Sequence, residues 1–339
     1  MSKNRYDTVS DCLDIFIRQI VKISALVPGT GLLTGKIGIA ILLYQYARYR
    51  NDSKMTEYAD HLIDIALQDL SFTGGNEFDS GLCGIAWCLD YLMKKEFVQA
   101  DEDMFEEIDT VLFQEKTGVS NFNNLGVELG KGLYILKRLS SCVSSAESVW
   151  SKRIENLVYH LRDILMLRDT GYKYPVLSCR ILIRFFHICQ TLREHNLYIP
   201  EIDALYEELP ETVNIFYRKG KIFLDKYMLA TLLYDIPVFK ECIPTGNIPQ
   251  SMTLTDVNNF YLTRLVLNRS FPIPEALSTT IISIVRDQQR ISELLYLLNP
   301  NNAGLGNYAC GLAWAMLQWC MEQDKKTENN IKIINHAYS

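Results

Sequence analysis

Hydrophobic positions along this chain fall into two alternating kinds of segment. Residues 37–47 run Ile, Gly, Ile, Ala, Ile, Leu, Leu, Tyr, Gln, Tyr, Ala, apolar nearly all round, as a helix enclosed by other helices must be. Residues 55–70 instead place Met55, Tyr58, Ala59, Leu62, Ile63, Ala66, Leu67 and Leu70 on one stripe, with Glu57, Asp60, Asp64 and Gln68 facing away. The first kind predicts an inner helix and the second an outer helix with one wet face. Further outer stripes are predicted over residues 6–24, 103–116, 145–166, 201–217 and 275–298, and further inner helices over 175–192, 225–236 and 256–268. The sixth outer place, 237–250, contains Pro237, Pro244 and Pro249 and reads mainly as a loop. No β alternation is sustained enough to argue a sheet, although residues 213–224 offer a local hairpin across Lys219 and Gly220.

A glycine-led segment opens the inner helices at a near-constant interval. It reads GLLTGKIGIA at 31–40, FDSGLCGIAWCL at 78–89, NNLGVELGKGLYIL at 123–136 and NNAGLGNYACGLAWAML at 301–317. Aligned on Gly38, Gly84, Gly132 and Gly311, the segments are 46, 48 and 179 residues apart, and the last gap is close to four of the others. Three further repeats are therefore expected between 133 and 310. Units of this length cannot bury their own apolar faces and must stack on neighbours. The expectation is one all-α domain over 1–339, an α/α toroid of about seven inner and seven outer helices. Its inner helices begin near Lys36, Leu82, Gly130, Val176, Asp225, Asp256 and Ala309. The glycines let the chain turn sharply and let helices approach closely, and successive inner-helix amino termini pointing one way would make a concave mouth attractive to anions.

Composition narrows the partners. With 339 residues, 48% hydrophobic, the chain can bury a large core. Its net charge is −6 and no block of Lys and Arg forms a stripe, which argues against nucleic acid as a partner. The amino-terminal MSKNRYDTVSDCLD lacks the apolar run of a signal peptide and no stretch is apolar enough for a membrane span, so a cytoplasmic location is expected. The nine cysteines lie mostly in apolar segments without a short framework, the pattern of reduced, buried thiols.

The segments GLLTGKIGIAILLYQYA, FDSGLCGIAWCLDYL and NAGLGNYACGLAWAM resemble the lanthionine synthetase C-like (LanC-like) proteins. That resemblance implies a toroid of inner and outer helices with glycine-rich motifs at the inner-helix starts. It also implies a role in ribosomal peptide (lanthipeptide-type, lantibiotic) maturation, where the best-known members join a cysteine thiol to dehydroalanine or dehydrobutyrine. Those cyclases need zinc, which makes a bound thiolate near neutral pH, held by two cysteines and a histidine in Trp-Cys and Cys-His-Gly motifs. This chain has no Cys-His pair. At the fifth and sixth places it reads DKYMLATLLYD and DVNNFYLTRLV, and at the fourth only Ser178 and Cys179 are available before the helix. His61, His160, His187, His195 and His336 fall in helices or the tail. The resemblance thus implies a protein without the usual zinc site and without a cofactor, a pseudoenzyme that binds a peptide substrate or other maturation proteins.

Two alternatives stay open. Cys83, Cys179 and Cys310 sit at inner-helix starts, where the helix amino-terminal field lowers a thiol pKa, and an active thioether cyclase would use them; packing beneath the rim explains them as well. Glu77, Asp79, Glu128, Asp225 and Asp256 also lie near inner-helix starts, and a carbohydrate-active toroid would pair two such carboxylates across a glycosidic bond. Capping is the ordinary role for Asp225 and Asp256. Sugar platforms are thin, with only Trp87, Trp150, Trp314 and Trp319. The binding residues expected at the mouth are Asp79, Glu128, Cys179, Asn307 and Tyr308.

Overall fold

The computed structural model describes residues 3–68, 75–99, 103–114, 125–139, 152–159, 179–210, 223–233, 237, 252–269 and 271–337. Among them every regular element is helical and there is no strand. In chain order the helices are α1 (Lys3–Ser24), α2 (Lys36–Arg50), α3 (Ser53–Gln68), α4 (Leu82–Lys94), α5 (Asp103–Gln114), α6 (Leu125–Leu139), α7 (Cys179–Glu194), α8 (Ile199–Glu208), α9 (Phe223–Leu233), α10 (Leu254–Leu267), α11 (Glu275–Arg286), α12 (Gln288–Leu297) and α13 (Tyr308–Ala337). Residues 152–159 are helical as well. The chain forms two compact units, one of Met1–Leu70 with Ile248–Ser339 and one of Ser71–Asn247.

The predicted inner and outer characters are visible in burial. In α2 every residue from Lys36 to Ala47 is buried, and in α4 every residue from Leu82 to Leu92. Helix α3 buries only Ala59, Leu62, Ile63 and Ala66, the expected stripe. Helix starts at Lys36 and Leu82 agree with the sequence, and those of α9, α10 and α13 lie within two residues of Asp225, Asp256 and Ala309. Val176 lies outside the described residues, and α7 is seen from Cys179.

Four expectations need correction. The third inner helix begins at Leu125, not near Gly130, because LGVEL is itself helical and Gly130 is an interior position. There the missing side chain admits a neighbour: a Cβ on Gly130 would lie 3.0 Å from the Cβ of Phe78. The hairpin expected over 213–224 fails at its end, where Phe223 and Leu224 open α9; residues 213–222 lie outside the described set, as does the loop 237–250 apart from Pro237. Asp256 does not itself cap α10. Thr253 does, accepting from the Asp256 N–H, while the Asp256 carboxylate accepts from the Thr253 N–H at 2.7 Å in a reciprocal capping box. Finally, the stripe at 275–298 is two helices, since Asp287 ends α11 and accepts the Arg290 N–H to start α12.

One turn is built twice. The Lys36 N–H donates to the Gly29 carbonyl at 3.0 Å, and the Leu82 N–H donates to the Gly75 carbonyl at 3.0 Å, seven residues back in each case. The residue before each helix, Gly35 or Gly81, is extended and carries no side-chain cap. A Cβ on Gly35 would lie 2.4 Å from the Gly31 nitrogen, and one on Gly81 would lie 2.1 Å from the Gly75 oxygen. Backbone replaces a capping side chain here, which only glycine permits. Within the first unit the last glycine turn docks on the first. The Gly306 N–H donates to the Leu33 carbonyl at 2.7 Å, and α13 packs on α1, α2 and α10.

Among the inner helices, α10 and α13 run parallel. Asn258, Tyr261 and Arg264 of α10 meet Gly311, Trp314 and Glu322 of α13 in that order. At the carboxyl ends of inner helices cations meet acids: Arg50 with Asp14 at 2.7 Å, Lys94 with Asp90 at 3.0 Å, Arg193 with Asp203 at 3.0 Å, and Arg264 with Glu322. Cations there complement the helix dipole.

The turn geometry makes a contrast between two glycines testable. Gly81→Ala should destabilise the protein by about 3 kcal/mol, the upper end for overpacking a tight site. Gly126 is in the first turn of α6 with nothing within 4 Å of where its Cβ would be, so Gly126→Ala should stabilise by about 0.5–1 kcal/mol through helix propensity. Urea midpoints at equal m-values check both.

Candidate functional site

The starts of α4, α6 and α7 gather charge in the unit Ser71–Asn247. Helix α6 packs on both α4 and α7. Asp79 lies three residues before α4, and its two oxygens reach Arg184 at 2.6 Å and Arg180 at 3.8 Å, both in the first two turns of α7. The Arg184 guanidinium also stacks over the Phe78 ring, 5.0 Å from its centroid. Phe78 is buried, so this arginine is fixed from two sides while Arg180 and Asp79 stay more than a third exposed. Nearby in α6, Glu128 and Lys131 are both buried and meet at 3.4 Å. Neither arginine nor Lys131 was singled out from the sequence. For the arginines the available signal was a basic residue early in an inner helix, where the dipole disfavours it and an acid must compensate.

The five residues expected at the mouth divide between the units. Asp79 lies just before α4 as expected, half-buried by its two arginine partners. Glu128 lies inside the first turn of α6 and is 4% exposed, which corrects the expectation of a rim position before the helix. Cys179 opens α7, and its side chain is outside the described set. In the other unit the Asn307 carbonyl accepts from the Gly311 N–H at 2.8 Å, so its backbone shapes the last turn. Tyr308, next to it, is 58% exposed, a large aromatic ring at the start of an inner helix.

The thiols behave as packing groups. Cys83 and Cys310 are fully buried, and the Cys310 Sγ donates to the Ala303 carbonyl at 2.8 Å. Burial pushes the Cys83 thiol up to about 12, with Lys131 opposing and Glu128 and Glu77 adding to the rise. Burial raises the Cys310 thiol too. The expected lowering by the helix field is thus overturned, because desolvation of a thiolate outweighs the field at a dry helix start. His187 is buried in α7, as read from the sequence, and His61 and His195 are exposed. Among the described residues no three His, Cys, Asp or Glu side chains are grouped to hold a metal ion. No helix among them is long and apolar enough to cross a membrane.

A second cluster lies at the carboxyl ends of α4 and α6. Trp87 and Tyr91 stack at 5.4 Å, and the Lys137 ammonium lies 5.3 Å from both ring centroids. Lys94 donates to the Lys137 carbonyl at 2.7 Å, tying the two helix ends together. Burial lowers Lys137 to about 8, helped by repulsion from Lys94 and Lys95 and opposed by Asp90.

Comparison with known proteins adds no relative: no family model matches the chain, and no curated protein matches it. The arrangement is therefore read from its own chemistry. It offers two guanidinium groups and a carboxylate at the starts of α7 and α4 in one unit and an exposed tyrosine at a helix start in the other.

Two measurements follow from these environments. Cys83 and Cys310 should resist iodoacetamide in the native protein at mildly alkaline pH and alkylate fully in concentrated urea, as read by peptide mass spectrometry. For Lys137 the folded value lies below the ordinary 10.5, so the unfolded state binds more protons between about 8 and 10.5. The cost of the buried ammonium is full below about 8 and is relieved as pH rises through that window. Lys137→Met should gain most stability at neutral pH and lose that advantage toward pH 10.5, checked by urea denaturation across the range.

Proposed function

We propose that this chain is a LanC-like protein of ribosomal peptide maturation that binds a peptide at the inner-helix starts of an α/α toroid and works without the usual zinc site. The observation that supports this most is the repeated glycine turn. Gly29 and Gly75 accept from Lys36 and Leu82 through the same seven-residue loop, and the last turn docks on the first through Gly306 and Leu33. A repeat whose final unit seats on its first is what a closed ring of parallel inner helices requires. Asp79 and Cys179, with Arg180 and Arg184 added, remain proposed peptide contacts in one unit and Asn307 and Tyr308 in the other, while Glu128 and Lys131 are buried. Peptide carboxylates and carbonyls would meet the arginines, and the Tyr308 ring would cover an apolar side chain.

The alternatives are less well supported by the side chains. An unconventional thiol cyclase needs accessible thiolates, whereas Cys83 and Cys310 are buried and raised. A carbohydrate-active enzyme needs two carboxylates facing a bond, whereas Asp79 is engaged by two arginines and Glu128 by Lys131.

A fluorescein-labelled synthetic peptide carrying one dehydroalanine and one cysteine tests the reading. The protein should raise its anisotropy, leave its thiol open to alkylation, and hold well under one equivalent of added Zn²⁺. Tyr308→Ala should weaken binding several-fold at an unchanged Tm, since the ring is exposed. Loss of the peptide thiol without change in mass would mean ring closure and an active cyclase. No binding at all would remove the peptide-binding reading.

A further inference from the structure

A shallow groove of about 460 Å³ runs between α1 and α3, in the unit of Met1–Leu70 with Ile248–Ser339. All the residues that line it belong to these two helices. Ile15, Arg18, Gln19 and Lys22 come from α1 at the spacing i, i+3, i+4, i+7, one stripe of the helix, with Val21 beside them and Met55 opposite on α3. The two walls are tied together. The Tyr58 hydroxyl of α3 donates to the Val21 carbonyl at 2.8 Å and lies 2.8 Å from the Ser24 hydroxyl of α1. Asp52 accepts the Met55 N–H at 3.2 Å, which seats the first turn of α3. The lining is apolar and basic: Ile15 stands 40% exposed, Val21 and Met55 are half-buried, and Arg18 and Lys22 are exposed. No acid lines the groove among the described residues. The Arg18 Nε donates to the Asp14 carbonyl at 3.1 Å and the Lys22 ammonium to the Gln19 side-chain oxygen at 3.3 Å, neutral acceptors within α1 itself. The Asp14 carboxylate is taken instead by Arg50 at 2.7 Å and Tyr46 at 2.9 Å. At the margins, Asp11 is exposed one turn before Ile15 and Lys54 is exposed next to Met55, one charge of each sign.

We propose that this groove docks a short acidic amphipathic segment of a partner protein, with an aliphatic anchor between Val21 and Met55 and carboxylates on Arg18 and Lys22. Charge selects that occupant. The chain as a whole carries −6, so two cations bordering an apolar floor without a lining acid reverse the sign of the surroundings, attract carboxylates and turn away a basic segment. Both cations keep donors to spare, since each meets only one neutral oxygen, and a guanidinium grips a carboxylate with two parallel bonds. Shape agrees with charge. A floor recessed between two helices takes a side chain, and Ile15 to Lys22 spans about 10 Å, two turns of a partner helix laid in the groove. The bonds from Tyr58 hold the walls at their spacing before anything binds, which lowers the cost of ordering.

The probe is a fluorescein-labelled twelve-residue amphipathic peptide built of Leu and Glu, compared with its Leu/Lys counterpart and with a scrambled Leu/Glu sequence of the same composition. The full-length protein should bind the amphipathic Leu/Glu peptide and bind the other two at least ten-fold more weakly, although its net charge of −6 favours the Leu/Lys peptide. Arg18→Glu with Lys22→Glu should weaken that binding ten-fold or more. Arg18→Gln with Lys22→Gln, which places no acid at the end of α1, should weaken it several-fold. Lys325→Glu with Lys326→Glu, two exposed positions on α13 with the same change in net charge as the first pair, should leave it within two-fold. Arg180→Gln, at the start of α7, should do the same. Every substituted side chain is more than a third exposed, and circular dichroism melts should show each variant folded. Binding that survives both groove variants overturns the proposal, as does equal binding of the scrambled peptide or an equal loss in the α13 variant. A loss confined to Arg180→Gln would put the peptide at the start of α7 and overturn it too. Vesicles of phosphatidylcholine and phosphatidylserine should not sediment the protein; sedimentation that Arg18→Glu with Lys22→Glu abolishes would assign the face to a membrane instead. A concentration-dependent dimer that the same variant dissociates would assign it to a second copy of the chain.

Discussion

Contact between backbone and backbone at Gly35 and Gly81 sets where the inner helices begin, and much else follows from it. Helix starts normally leave N–H groups for a serine, threonine or aspartate to satisfy. Here the carbonyls of Gly29 and Gly75 do so, and the chain can come that close only because no side chain intervenes. With the cap supplied by main chain, the residues that follow are free to be apolar from the first turn. Ile37, Cys83 and Ile85 are accordingly buried at once, and the helices can be enclosed along most of their length.

That enclosure creates an electrostatic asymmetry. At the carboxyl ends the basic residues suit the dipole and need only an acid across the way, as Arg50 finds in Asp14. At the amino end of α7 Arg180 and Arg184 oppose the dipole and are kept by a local acid, Asp79. A pairing that works against the background field is a poor choice for stability alone. This contrast is what makes the amino-terminal ends the more informative place to look for recognition.

Much of the helical plan was legible in the sequence because two periodicities differ so plainly. The all-round apolar run at 37–47 and the single stripe at 55–70 became α2 and α3 within a few residues of their expected bounds. Misreadings came where one residue type serves two purposes. Gly132 admits the Ile188 side chain and Gly130 admits Phe78, both inside a helix, so a glycine cluster that marks a turn at residue 81 marks close packing at 130. Asp287 divides two helices because its side chain caps the second, something periodicity over 275–298 does not register. The site was less legible still. Arg184 matters through Asp79, which is 105 positions away in the chain, and spacing alone does not reveal such a partner.

The bond from the Gly306 N–H to the Leu33 carbonyl carries a consequence for how the protein is made. Its two ends are separated by more than two hundred and fifty residues, and the unit it helps to close draws on Met1–Leu70 and Ile248–Ser339. The other unit, Ser71–Asn247, is one uninterrupted stretch. During synthesis the unit Ser71–Asn247 is complete while the first three helices still lack α10 to α13, so the apolar faces those helices cover wait in the open until they are made. Helices α1 to α3 thus settle late although they are made first, and the interval before α10 to α13 emerge is when their apolar faces most need a chaperone.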